Sequence, residues 1–285
     1  MAGAAASPLP CGAMLTTRLA DIVDLERYPI DALDAPAGQA LIERARAGLR
    51  AEGACDLPGF LRGEAIAAAV ESALALHDRS YRTEQDHDIE FSGVAPDALA
   101  PDDPRRTRVR SAKQGTAYDD IPGDSIVRVL YESPELLAFV GAALEIDPLH
   151  RSDDPLGALN YMYFHRGDEL GWHFDNAHFV VTLLLQAPEA GGVFEYAPML
   201  RSEDDRNDAG VRALLAGDRS RVRTMSSEPG TLALFRGHWS PHRVTPVEGD
   251  RLRLNAVLSF ARTPGQRLGS ETYRLFYGRS APRSA

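Results

Sequence analysis

The chain is poor in cysteine and in aromatic residues, and it has no long hydrophobic run. Two cysteines, Cys11 and Cys55, in 285 residues cannot support a disulfide-stapled scaffold. Nothing else points to an oxidising compartment, so both are read as free thiols of a cytoplasmic protein. No window approaches the roughly 18 consecutive apolar residues of a membrane span. Basic side chains are outnumbered, 31 against 41 acidic ones, for a net charge of -10. That field repels phosphate backbones and argues against a nucleic-acid partner. Residues 1–17, rich in alanine and carrying Pro8 and Pro10, lack the basic start and apolar core of a signal peptide and are read as disordered. What remains, 44% apolar and 25% charged, is the composition of an ordinary globular protein.

The first half reads as helical. Leu41, Ile42, Ala45 and Leu49 recur at helical spacing, as do Ile66, Val70 and Leu74, and the two helices are separated by the breaker Leu57-Pro58-Gly59-Phe60. The stretch 78–124, with Pro96, Pro101, Pro104 and many charges, is less regular and reads as loop-rich. Ser133-Pro134-Glu135 supplies an N-cap, a first-turn proline and a first-turn acid for a third helix through Leu144. After Pro155 the pattern changes to short strands over 158–164, 179–186, 193–196, 231–235 and 251–260, punctuated by Gly167, Gly191-Gly192, Pro229-Gly230 and Gly249. A charged insert, 201–223, carries a short helical pattern at 211–215. Helices followed by strands indicate an α+β unit or a β core dressed with helices.

Six of the eight histidines fall between His150 and His242. One His-x-Asp triplet occurs, His173-Phe174-Asp175. Residues two apart in an extended segment share a face, so both side chains can reach one ion, and a distant histidine can complete the set. A triplet of this kind arises by chance nearly as often as not in such a composition, and the competing reading is a surface histidine beside a strand end. Its surroundings decide. The turn Gly167-Asp168-Glu169 precedes it and the apolar run 179–185 follows it, which places the pair at a strand mouth. His238 and His242 compete for the third position, and Gly237 and Pro241 disfavour the helix that would make them equivalent, leaving His242 preferred. Two imidazoles and a carboxylate suit Fe(II) and leave positions for a bidentate cosubstrate and dioxygen. In the run 251–258, period two puts Arg251, Arg253 and Asn255 on one face. That face is either solvated or, turned inward, suited to a dicarboxylate such as 2-oxoglutarate.

These residues resemble the iron(II)/2-oxoglutarate-dependent dioxygenases. The resemblance is carried by His173-Phe174-Asp175, His242-Arg243-Val244-Thr245-Pro246-Val247 and Arg253-Leu254-Asn255-Ala256-Val257. It implies an α+β protein with a double-stranded β-helix (jelly-roll, cupin-like) core and N-terminal helices packed on one side. It further implies Fe(II) held by His173, Asp175 and His242, 2-oxoglutarate and O2 as cosubstrates, and Arg253 as the 2-oxoglutarate anchor with Arg251 as its neighbour. The segments Gly171-Trp172-His173-Phe174-Asp175-Asn176, 185–196 and Phe276-Tyr277-Gly278-Arg279 are similar to the branch of free-amino-acid halogenases and related hydroxylases. In the halogenases glycine replaces the ligand aspartate and frees a position for chloride. Asp175 therefore points to hydroxylation.

The expected organisation is one domain over 18–285, with a helical part at 18–150, a jelly-roll core at 155–262 and a C-terminal segment at 263–285. The expected reaction is hydroxylation of an unactivated C–H in a small, amino-acid-like substrate, with release of succinate and CO2. Desaturation, cyclisation or halogenation at the same site, and a non-enzymatic metal-binding jelly roll, are the alternatives. Asn176, Asn255, Arg110 or its neighbour Arg108, and Tyr277 are candidate substrate contacts. Each has a plainer reading as a turn cap, a solvated arginine or a packing tyrosine.

Overall fold

The computed structural model describes residues 17–283, so the expectation of disorder before residue 17, like Cys11, lies almost wholly outside the described residues. In chain order the elements begin with α1 (Leu19–Ile22), α2 (Pro36–Ala51), β1 (Ala54–Leu57), α3 (Gly63–Ala75), β2 (Tyr81–His87) and β3 (Val109–Thr116). They continue with α4 (Ile126–Glu132), α5 (Pro134–Leu144), β4 (His150–Arg151), β5 (Leu159–Phe164), β6 (Glu169–His173), β7 (Val180–Gln186), β8 (Ala190–Gly191) and β9 (Phe194–Tyr196). The remainder are α6 (Asp208–Leu215), β10 (Arg223–Thr224), β11 (Leu232–Phe235), β12 (His242–Val244), β13 (Val247–Glu248), β14 (Arg253–Leu258), β15 (Phe260–Ala261) and α7 (Ser270–Tyr277).

Among the described residues, eleven strands form one antiparallel sheet in the order β1-β11-β7-β14-β5-β3-β6-β12-β9-β10, with β2 attached to β3. The sheet folds over at β3, whose Gln114–Thr116 end pairs with β5 and whose Ser111–Ala112 end pairs with β6. Strands β11-β7-β14-β5 thus form one layer and β6-β12-β9-β10 the other, and side chains of both line the space between them. This is a double-stranded β-helix.

Alternation along the strands builds the layering. On β14, Leu254, Ala256 and Leu258 point outward into the main core while Arg253, Asn255 and Val257 point inward. The same division sets Tyr161 and Tyr163 against Met162 and Phe164 on β5, and Val181 and Leu183 against Val180 and Thr182 on β7. The helices cover that outward apolar face. Helix α2 contributes Leu41, Ile42, Ala45 and Leu49, and α5 contributes Leu136, Phe139, Val140 and Ala143. Helix α3 presents Ala65, Ala69 and Ala73, small enough for Tyr163 to donate its hydroxyl to the Ala73 carbonyl at 2.7 Å. On the other layer, Trp172 and Phe174 pack outward against Val211 and Leu214 of α6, so the charged insert covers that side.

The structure departs from two expectations. Two strands, β2 and β3, lie within the loop-rich segment 78–124 and flank a loop in which Pro96 and Pro104 open short turns at Pro96–Ala98 and Pro104–Arg106. Strand β2 reads as polar because only Thr83 and His87 of its seven residues are buried. Helices and strands are also not separated at Pro155, since β1, β2 and β3 join the sheet from the first half and α7 follows it. Cys55 is a free, buried thiol on β1, and burial pushes its pKa up to about 11. No helix among the described residues is long and apolar enough to cross a membrane.

Candidate metal centre and its cavity

Strand pairing brings the two histidines together. His173 ends β6, His242 opens β12, and the two are direct cross-strand partners with ring centroids 4.1 Å apart. A bulge in β6 sets Leu170 opposite Val244, so that both Leu170 and His173 face inward. Each imidazole donates its Nδ1–H to a backbone carbonyl two residues earlier, His173 to Gly171 at 2.8 Å and His242 to Ser240 at 3.1 Å. That fixes the tautomer and leaves both Nε2 lone pairs free. Burial, reinforced by His242, holds the His173 pKa well below its ordinary value, and burial pushes His242 down to about 4. Both rings are therefore neutral at neutral pH, as metal ligands must be.

Asp175 completes the set. Its Oδ1 lies 3.7 Å from His173 Nε2 and its Oδ2 3.6 Å from His242 Nε2, and the three ligand atoms fall within 4.8 Å of one another. The Arg236–Trp239 turn holds its backbone: the Asp175 N–H donates to the Gly237 carbonyl at 3.1 Å, and the Asp175 carbonyl accepts the His238 Nδ1–H at 3.0 Å. His238 is thus a support and not a ligand. Gly237 is required by proximity, because a Cβ there would overlap Asp175 Oδ2. That Oδ2 is buried and has no hydrogen-bond partner. A desolvated carboxylate oxygen left without a donor, facing two imidazole lone pairs, is a fitting third ligand for a divalent cation.

The centre opens on a cavity of about 160 Å³ whose wall includes Lys113, Met162, Phe164, Thr182, Arg253, Asn255 and Val257. Arg253 is buried and its Nε donates to the Gly192 carbonyl at 3.0 Å; no carboxylate pairs with it among the described residues. Gly192, at φ +57°, keeps the wall clear, since a Cβ would lie 3.2 Å from Arg253 Cδ. Burial pushes the Arg253 pKa down to about 10. Asn255 shares the cavity, its amide donating to the Ala256 carbonyl at 3.2 Å.

The other residues singled out from the sequence lie elsewhere. Arg251 precedes β14 in a turn, is exposed, and caps the Ala187 and Pro188 carbonyls on the outside, because period two does not extend past the start of the strand. Arg110 is held on the surface by Glu84 and Glu169, and Arg108 by Asp88. Asn176 is exposed and Tyr277 packs with Ala117, Leu156 and Tyr273, both away from the cavity wall.

Sequence reasoning missed Lys113, on β3 within the segment read as loop-rich. It also missed the brace formed by His87, which donates Nδ1–H to the Asp88 carbonyl at 2.8 Å and accepts the Ser111 hydroxyl at 2.6 Å. Beside it, Phe91 packs against the His173 ring with centroids 5.4 Å apart. A signal for Lys113 was present: every other one of the 31 lysine and arginine residues is arginine.

A family model described as HalD, halogenase D, matches residues 37–273. The chain belongs to the halogenase D family. This agrees with the branch indicated by the motifs around His173 and at the C-terminus. No curated protein matches this halogenase D family member. Solved structures that share its fold include the non-heme alpha ketoglutarate dependent epimerase SnoN from nogalamycin biosynthesis, 15% identical with a TM-score of 0.52 over 78% of this chain and 83% of that one. SnoN in complex with Fe3+, alpha ketoglutarate and nogalamycin RO matches at 17% identity and TM-score 0.51, covering 78% and 84%. AviO1 from Streptomyces viridochromogenes Tue57 matches at 19% identity and TM-score 0.51, covering 78% and 94%.

Proposed function

We propose that this halogenase D family member is an Fe(II)- and 2-oxoglutarate-dependent dioxygenase that hydroxylates an unactivated C–H of a small, amino-acid-like molecule. The observation that carries this reading is the convergence of His173, Asp175 and His242 on a cavity that also contains the unpaired Arg253. The SnoN complex, which holds Fe3+ and alpha ketoglutarate on a similar fold, supports it.

In this reading His173 and His242 supply Nε2 lone pairs and Asp175 supplies its unpartnered oxygen to the iron. Arg253 receives the distal carboxylate of 2-oxoglutarate, an anion that satisfies the buried guanidinium. When bound, Fe(II) and 2-oxoglutarate supply the oxidation of a C–H by O2, with release of succinate and CO2. Met162, Phe164, Leu170, Val180, Val244 and Val257 make most of the wall apolar, so water is excluded from the reacting groups. No side chain is needed as a nucleophile.

The family name favours halogenation as a second reading. Asp175 opposes it, because a carboxylate stands where a halide would coordinate. Anaerobic titration of Fe(II) and 2-oxoglutarate into the protein is expected to give a visible charge-transfer band that His173→Ala or His242→Ala abolishes. A missing band would sink the dioxygenase reading. Product mass separates the outcomes: one added oxygen for hydroxylation, loss of two hydrogens for desaturation, and replacement of hydrogen by chlorine for halogenation.

A further inference from the structure

The cavity contains a second cation that the cofactor set does not use. Lys113 is the single lysine of the chain, and it lies on the inner face of β3 where the sheet folds from one layer to the other. Its ammonium rests 5.0 Å from the ring centroid of Phe276, supplied by α7. Among the described residues it has no hydrogen bond and no ion pair, and burial pushes its pKa down to about 8 against the opposing pull of the Asp175 carboxylate. Both cations line one cavity, Lys113 from β3 and Arg253 from β14.

Charge balance defines what Lys113 is for. Fe(II) and the 2-oxoglutarate dianion cancel, Asp175 and Arg253 cancel, and both imidazoles are neutral. Lys113 alone is left as a positive charge in a mostly apolar chamber, a costly arrangement unless an anion arrives. 2-Oxoglutarate has two carboxylates, one for the metal and one for Arg253, so a third anionic group must come from the other molecule that enters. Lysine is also well suited to receive it, because its ammonium is a compact point charge on a flexible stem that can follow a substrate, whereas an arginine fork fixes one geometry.

We propose that Lys113 binds a carboxylate of the substrate inside the cavity, which makes the substrate a carboxylate-bearing molecule. This rests on the dioxygenase reading and narrows its substrate class. The test uses the full chain loaded anaerobically with Fe(II) and 2-oxoglutarate, then succinate release in air with the free amino acids and with their carboxamides as probes. Lys113→Met is expected to leave the 2-oxoglutarate midpoint of the charge-transfer band within about twofold, while Arg253→Met raises it at least about tenfold. Free carboxylates are expected to stimulate succinate release with KM at least about tenfold below that of the matching carboxamides. Lys113→Met should erase that preference and Lys113→Arg should keep part of it. The proposal is overturned if Lys113→Met weakens 2-oxoglutarate as much as Arg253→Met does, if carboxamides stimulate equally, or if no carboxylate stimulates although the band is intact. Absence of the band in the unaltered protein would instead overturn the dioxygenase reading.

Discussion

At the scale of single residues, the centre depends on atoms that are absent as much as on those present. Gly237 has no Cβ, and the space is taken by the Asp175 carboxylate. Gly237→Ala is therefore expected to displace that carboxylate and weaken Fe(II) binding by about 10- to 100-fold, the usual cost of disturbing a ligand's support. The far-UV circular dichroism should stay unchanged, and unchanged Fe(II) affinity would contradict the assignment of Asp175. The two arginines make a second test. Arg251→Ala, on the outside, should leave the 2-oxoglutarate midpoint where it is, whereas Arg253→Ala removes the buried cation facing the cavity and should raise it at least about tenfold. The sequence placed both on one face because alternation was extended past the end of the strand. It named His173, Asp175 and His242 from residue type, spacing and the turn and strand patterns around them, all written locally, but Lys113 has no spacing motif and waited for the structure.

At the scale of elements, local signals and tertiary partners had different weight. Helix α5 was legible because its start is encoded locally: the Ser133 hydroxyl accepts the Leu136 N–H at 3.2 Å and Pro134 occupies the first turn. Ser133→Ala is expected to lower stability by about 1 kcal/mol, seen as a lower urea midpoint with unchanged slope. Strands β2 and β3 were not legible. Their residues are largely polar, and they are strands because β3 finds β2 on one side and β5 and β6 on the other. The bulge in β6 is likewise a product of pairing with β12, and it lets an apolar wall residue and a metal ligand face the same cavity three positions apart.

At the scale of the whole molecule, buried neutral histidines couple folding to pH. Burial lowers the pKa of His87, of His165 (with His77 beside it), of His173 and of His242, the last to about 4. Below about 6.5 the unfolded chain binds protons that these folded imidazoles refuse, so stability present above that pH is lost as pH falls towards the folded values. Asp175, raised by its burial, acts in the opposite sense, but it is one group against several imidazoles, His178 among them. The urea midpoint of the metal-free protein is expected to fall steadily from pH 7 to pH 4.5, and a flat profile would contradict it. The His165 Nε2 stands 3.0 Å from that of His77.

The amino-acid sequence by itself determined the candidate ligand types, the alternating strand that sets Arg253 and Asn255 on one face, and the principal helices, because each is written in residues close together along the chain. Only the tertiary structure decided which charged groups share the cavity. Lys113 meets the metal site because a polar strand turns the corner between two layers, and Arg251 misses it because the inward face begins two residues later. Contacts of that kind depend on strand pairing across large sequence separations, which periodicity within one segment cannot report.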